Sequence, residues 1–240
     1  VGAPAQGFDS ALYAELLLRH TREVADTAGT RVDYPGVAAS ADWRRLMTQL
    51  DAIDPAGLRS RAEKLAFWIN AYNALAIDLV ARHPGVASIR EIGSLLRPVW
   101  KREAGRVGGK PISLGEIEHG ILRKLGEPRI HFAIVCASVS CPSLRREPWD
   151  AERLDAQLDD GVRRFLSSPE KGLRLDRAEG LLFLSRIFDW FEGDFDPEGV
   201  LAFVSRHVPA PDRAFLEARR PRIEHLDYDW RLNALTPPPE

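Results

Sequence analysis

The strongest constraint on how this chain folds is the stretch RAEKLAFWINAYNALAIDLVAR, residues 61–82. Leu65, Trp68, Ile69, Tyr72, Leu75, Ala76, Leu79 and Val80 recur there at helical spacing and cover more than one face. A helix that is apolar around most of its circumference must lie inside the fold, with other elements packed against it. The spacing predicts a helix over residues 55–82, ended before Pro84 because a proline disfavours helical geometry in the residue ahead of it. Asn70, Asn73 and Asp78 interrupt the run, and no segment reaches the roughly 20 apolar residues of a transmembrane helix. Asn70 and Asn73 stand three apart, on one stripe of the helix. Buried amides need partners, so this pair either satisfies loop or strand-end backbone or lines a substrate site.

The rest of the chain supplies elements to surround that helix. Residues 8–28 carry Leu12, Leu16 and Arg19 at helical spacing and predict a helix ended near Gly29. Trp43, Leu46, Leu50 and Ile53 predict another over residues 41–53. The Gly-rich stretch 93–111 reads as an irregular loop that flanks a site. Ser113 and Glu116 form a capping-box signature at the start of SLGEIEHGILRKLG, and Gly126 and Pro128 close that helix. Residues 130–137 are apolar on both faces and predict an interior strand. A helix over 150–166, a strand pair at 173–175 and 181–187, and short proline-led helices at 197–207 and 211–219 complete the list. This is an α+β class, a helix-rich single domain over 1–240 around a small antiparallel sheet, with residues 1–60 as an N-terminal helical part.

Composition narrows the function. The 240 residues hold 33 Lys and Arg against 35 Asp and Glu, a net charge of −2 with no footprint for nucleic acid or an anionic membrane. The chain opens without Met on small residues, VGAPAQGF, which fits an end left by signal-peptide removal or a trimmed sequence. A periplasmic or secreted location is therefore expected, with the cytoplasm as the alternative. In an oxidising compartment nearby thiols can pair.

Both cysteines, Cys136 and Cys141, fall in RIHFAIVCASVSCPSLR, where the apolar run gives way to small and hydroxyl residues. Zinc needs about four clustered ligands, and the chain offers one C-x₄-C with six scattered histidines. On a strand, His131 would face away from Cys136 because side chains alternate. No metal and no other cofactor is expected. A disulfide is geometrically possible at this spacing but weak as a staple, since so short a loop removes little chain entropy. A redox or regulatory pairing stays open, although C-x₄-C is not a known redox spacing, and so do two plain buried thiols. A catalytic thiol needs a base, an orienter and N–H donors. His119 and Glu118 precede the predicted strand by a short connection, and the small residues ASVS leave backbone N–H groups accessible. On spacing alone disulfide and catalysis stay open.

AFWINAYNAL, SLGEIEHGILR, RIHFAIVCASVSCPSLR, LSRIFDWFEGDF and YDWRLN together resemble the family catalogued as domain of unknown function 547, over residues 61–233. The resemblance implies a papain- or transglutaminase-like thiol fold. It carries over onto Cys136 as nucleophile, His119 as base and Glu118 as orienter, with Cys141, Asn70 and Asn73 beside them; Ser140 and Trp190 are further candidates around the substrate. The residue before the first cysteine is commonly Asn in that family and is Val135 here. The expected activity is a thiol-dependent hydrolase or acyltransferase on a peptide amide or thioester. The alternative is an inactive module of the same fold that binds a peptide or small thiol.

Overall fold

The first helix, α1 (Ser10–His20), begins where Asp9 caps it, the carboxylate accepting from the Leu12 N–H at 2.9 Å. The computed structural model describes residues 8–235, so the small-residue opening before Phe8 and the Pro-rich end lie outside the described residues. α1 is shorter than the predicted 8–28. Thr21 to Glu23 leave it to form β1 (Thr21–Glu23), which pairs antiparallel with β2 (Thr30–Val32). Gly29 turns between them at φ +70°, and a Cβ there would run into the Ser143 hydroxyl.

A short helix, α2 (Tyr34–Ala39), leads to α3 (Ala41–Ala52), which Ser40 caps by accepting from the Trp43 N–H at 3.1 Å. The long helix is α4 (Arg61–Ala81). It starts later than predicted because Pro55–Gly57 makes a separate 3₁₀ turn and a reciprocal Ser60–Glu63 capping box then fixes the N-terminus. From Leu65 to Ala81 only Asp78 escapes burial, so the breadth of the apolar face is met by packing all round. Trp43, Leu46 and Leu50 of α3 and Leu16 and Leu17 of α1 join it in one cluster, each with almost no exposed surface. Each such side chain contributes about 1.5–3 kcal/mol through burial.

Part of the segment predicted as an irregular loop is a hairpin, β3 (Glu103–Val107) and β4 (Lys110–Ser113), closed by Gly108 and Gly109 at φ +61° and +72°. Two consecutive positive φ values are what a tight two-residue hairpin turn requires, and glycine reaches them without strain. Beyond it, Ser113 and Glu116 make the predicted capping box: Glu116 Oε2 accepts from the Ser113 N–H at 2.8 Å, and Ser113 Oγ accepts from the Glu116 N–H at 3.2 Å. The turns that follow, Glu116–Leu122, are π-helical.

The predicted strand over 130–137 is not there. Pro128–Phe132 is a 3₁₀ turn capped by Glu127, and residues 133–137 join no ladder. Its apolar residues serve two cores: Ile130, Ile134 and Val135 pack on the α4 cluster, while Phe132 enters a second one. That second cluster lies between α5 (Leu154–Leu166), a three-stranded sheet and the last helices. In the sheet β5 (Leu173–Asp176) pairs antiparallel with β6 (Leu181–Leu184). After α6 (Ile187–Trp190), α7 (Val200–His207) and α8 (Ala210–Arg219), β7 (Arg222–His225) returns parallel to β6. The class is α+β; among the described residues the strands are divided among three small sheets instead of gathered in one, and one of the pairings is parallel. No described helix is long and apolar enough to cross a membrane.

Candidate active site

The segment that carries the cysteines is held by α4, through an amide instead of a neighbouring strand. Asn73 donates from Nδ2 to the Ala133 carbonyl at 3.0 Å and accepts at Oδ1 from the Val135 N–H at 2.8 Å. One side chain thus takes the donor and acceptor that a β-ladder would have taken, which explains why an apolar run of strand composition forms none. Asn70 does the same for Trp149, at 2.8 and 2.9 Å. Both asparagines are buried with donor and acceptor engaged.

The chain turns at Ala137, a non-glycine residue at φ +63° immediately after Cys136. Such a conformation is uncommon for alanine and persists only where the surroundings hold it. Here the C-terminal segment does so. Asn233 N–H donates to the Ala137 carbonyl at 3.0 Å, and the N–H groups of Val139 and Ser140 donate to the carbonyls of Arg231 and Asp229 at 2.9 and 3.2 Å. Those two N–H groups, expected to be accessible, are therefore engaged. Ser140 Oγ in turn accepts from the Asp229 N–H at 2.8 Å. The turn brings the two cysteines together as a disulfide, with Cα atoms 6.3 Å apart. The Cys136 N–H points at Cys141 Sγ, 3.1 Å away, and Tyr228 Oη lies 3.2 Å from Cys141 Sγ and 3.5 Å from Cys136 Sγ.

Both sulfur-bearing residues line a cavity of about 310 Å³. Its walls are strongly aromatic: Trp100, Trp190, Phe191, Tyr228 and Trp230 all border it. Trp190 stacks on Trp230 with ring centroids 5.6 Å apart, and Arg90 covers the Trp230 ring at 5.0 Å. Gly115 lets the π-helical segment approach this wall, since a Cβ there would meet the Trp100 carbonyl at 2.6 Å.

Residues 55–166 match the family model described as Protein of unknown function, DUF547. No curated protein and no solved structure gives a match. The DUF547 segment contains α4, Glu118, His119, His131 and both cysteines, whereas Asp194 and the aromatic wall from Trp190 to Trp230 come from chain beyond it. The match ends at 166, short of the 233 that the motifs suggested.

Three titratable side chains of the matched segment, Glu118, His119 and His131, line the cavity, and Asp194 from beyond it meets one of them. Glu118 is buried, and burial pushes its carboxyl up to about 7, against the opposing pull of Arg123 and of a long Tyr72 hydroxyl contact at 3.5 Å. His119, one residue on, lies at the exposed rim. A guanidinium can only donate, so His119 Nδ1 accepts from Arg123 at 3.1 Å. Partial burial and then the Arg123 charge lower its pKa. His131 is buried and stacked on Phe191 with centroids 4.0 Å apart. Burial brings its pKa down to about 4, so it is a neutral imidazole that donates Nε2–H to Asp194 at 2.7 Å. Asp194 also accepts a fork from Arg123 at 2.6 and 2.7 Å. Burial works against the charge on Asp194, but these hydrogen bonds outweigh it and hold the carboxyl below its ordinary range.

The placement of the predicted residues is now plain. Cys136, Cys141, Glu118, His119 and Trp190 line one cavity; Asn70, Asn73 and Ser140 do not line it and are hydrogen-bonded to backbone. Strand alternation placed His131 away from Cys136, and that reasoning fails because no strand exists: His131 borders the same cavity. Asp194, Arg123 and Tyr228 were given no role in the sequence, although each lies inside a quoted motif. Only chain crossing connects them, over separations of 71 residues for Arg123–Asp194 and 92 for Tyr228–Cys136.

Proposed function

We propose that this cavity is the active site of a thiol-dependent hydrolase or acyltransferase acting on a peptide amide or thioester. Cys136 is its nucleophile once the bond to Cys141 is reduced. The observation that carries the reading is that His131, which borders the cavity that holds Cys136, is hydrogen-bonded to the Asp194 carboxylate. A nucleophile, a base and a group that orients the base are the parts this chemistry needs. Asp194 occupies the Nε2 side of His131, so Nδ1 is the nitrogen that moves the proton, and Asp194 stabilises the imidazolium as it forms. Glu118, with a pKa of about 7, is matched to protonating a leaving group at neutral pH. His119 takes a rim position, its Nδ1 held by Arg123, and is assigned to substrate contact in place of the base. A papain- or transglutaminase-like arrangement and a periplasmic or secreted setting belong to the same proposal, since disulfides persist in oxidising compartments.

The test is hydrolysis of an aryl thioester by the full chain before and after reduction. Activity should appear on reduction, survive Cys141→Ala, vanish in Cys136→Ala, and fall roughly 10²–10⁴-fold in His131→Ala. Turnover that persists in Cys136→Ala refutes the reading. The bonded state of the nucleophile favours a second reading, an inactive module that binds a peptide or small thiol in the aromatic cavity. In that case reduction yields tight binding without turnover.

A further inference from the structure

In thioester hydrolysis the Cys136–Cys141 bond only has to be open, and Tyr228 has no part. We propose that this disulfide is itself the reactive group of a thiol–disulfide exchange site, whose partners are thiols carrying an aromatic or apolar group and the disulfides of such thiols. The inference stands apart from the hydrolase reading and needs no acyl substrate.

A structural role explains the bond poorly. It joins residues only five apart, so it removes little entropy from the unfolded chain. The loop between them is already pinned by the C-terminal segment, through Val139 to Arg231, Asn233 to Ala137 and Asp229 to Ser140. Those hydrogen bonds do not involve sulfur and hold the turn with the bond open.

The two sulfurs also differ as exchange requires. Cys136 is half-buried at the cavity, whereas Cys141 is 2% exposed. Attack therefore falls on Cys136, and Cys141 leaves. An incoming thiolate forms a new S–S bond to Cys136 Sγ, the old bond breaks, and its electron pair passes to Cys141 Sγ. That thiolate is met by two donors already in place, the Cys136 N–H at 3.1 Å and the Tyr228 hydroxyl at 3.2 Å. Stabilising the leaving thiolate speeds exchange. The proton released by the incoming thiol passes to solvent. A second thiol then attacks the mixed disulfide and releases R–S–S–R. Two thiols are oxidised and the protein's two sulfurs are reduced; the reverse reaction reduces a bound disulfide. The walls choose the partner: among the described residues the cavity lining is dominated by aromatic rings, so it favours thiols whose own ring can stack there.

The test uses the oxidised full chain and two thiols of similar basicity, benzyl mercaptan and 2-mercaptoethanol, with acid quenching and intact mass as the readout. Native protein should react at least about tenfold faster with benzyl mercaptan, a preference lost in urea. Peptide mapping of the quenched intermediate should place the benzyl adduct on Cys136. Tyr228→Phe should slow the native reaction about tenfold and leave the unfolded one unchanged. A native preference no larger than the unfolded one, an adduct on Cys141, or a Tyr228→Phe chain that folds and reacts at the wild-type rate overturns the proposal. None of these arms reads thioester hydrolysis, so each proposal can fail without the other.

Discussion

Replacing Asn73 by Ala removes the side chain that substitutes for a strand beside the cysteine segment. Asn73 is 2% exposed and holds the Ala133 carbonyl at 3.0 Å and the Val135 N–H at 2.8 Å. Each buried backbone group left without a partner costs about 1–3 kcal/mol. Two of them give about 4 kcal/mol, and alanine's better helix propensity returns about 0.5 kcal/mol. The net loss of roughly 3–4 kcal/mol is a large share of the 5–15 kcal/mol typical of a folded domain. Urea titration should show a lower midpoint with unchanged slope. Thermal melting should fall by about 7–14 °C, at roughly 2–4 °C per kcal/mol for a chain of this size. The freed segment should also let small thiols reduce the disulfide faster. A loss below about 1 kcal/mol at unchanged slope would show that water satisfies these groups, and the claim that α4 holds the segment would fall.

Glu118 has a folded pKa of about 7 against an ordinary 4.5, so the folded chain holds its proton more tightly than the unfolded one. That contribution is complete below about 4.5 and is lost as pH rises towards 7; Glu118→Gln should flatten this part of a stability–pH curve measured by urea titration. His131 runs the opposite way: its folded pKa near 4 lies below the ordinary 6.5, so its contribution is complete above 6.5 and is lost as pH falls towards 4. Its ring should remain neutral at pH 5 by NMR, and a protonated ring there would contradict the burial argument. Asp194→Asn removes the charge that receives both Arg123 and His131. It should lower thioester turnover of the reduced enzyme by about 10²-fold or more, with the pH profile shifting as the imidazolium loses its partner.

Elements that decide their own fate are legible in the sequence. The helix over α3, the capping box at Ser113 and Glu116, and the hairpin of β5 and β6 depend on neighbours in sequence, so spacing and caps suffice. The segment around His131 failed because its apolar residues answer to two different cores. An apolar run between two clusters has the composition of an interior strand without its hydrogen bonds. The glycine pair at 108–109 was a hairpin signal that the irregular composition around it concealed.

By itself the sequence determined the buried central helix and the α+β class, because these follow from periodicity and caps; the family resemblance, not spacing, singled out Cys136, Cys141, Glu118, His119 and Trp190, which line the cavity. Tertiary structure alone decided that Cys136 bonds to Cys141 beneath Tyr228, and that His131 rather than His119 meets a carboxylate. Both outcomes depend on the last third of the chain crossing back over the cysteine turn, and no local period in the sequence encodes where a distant segment will lie.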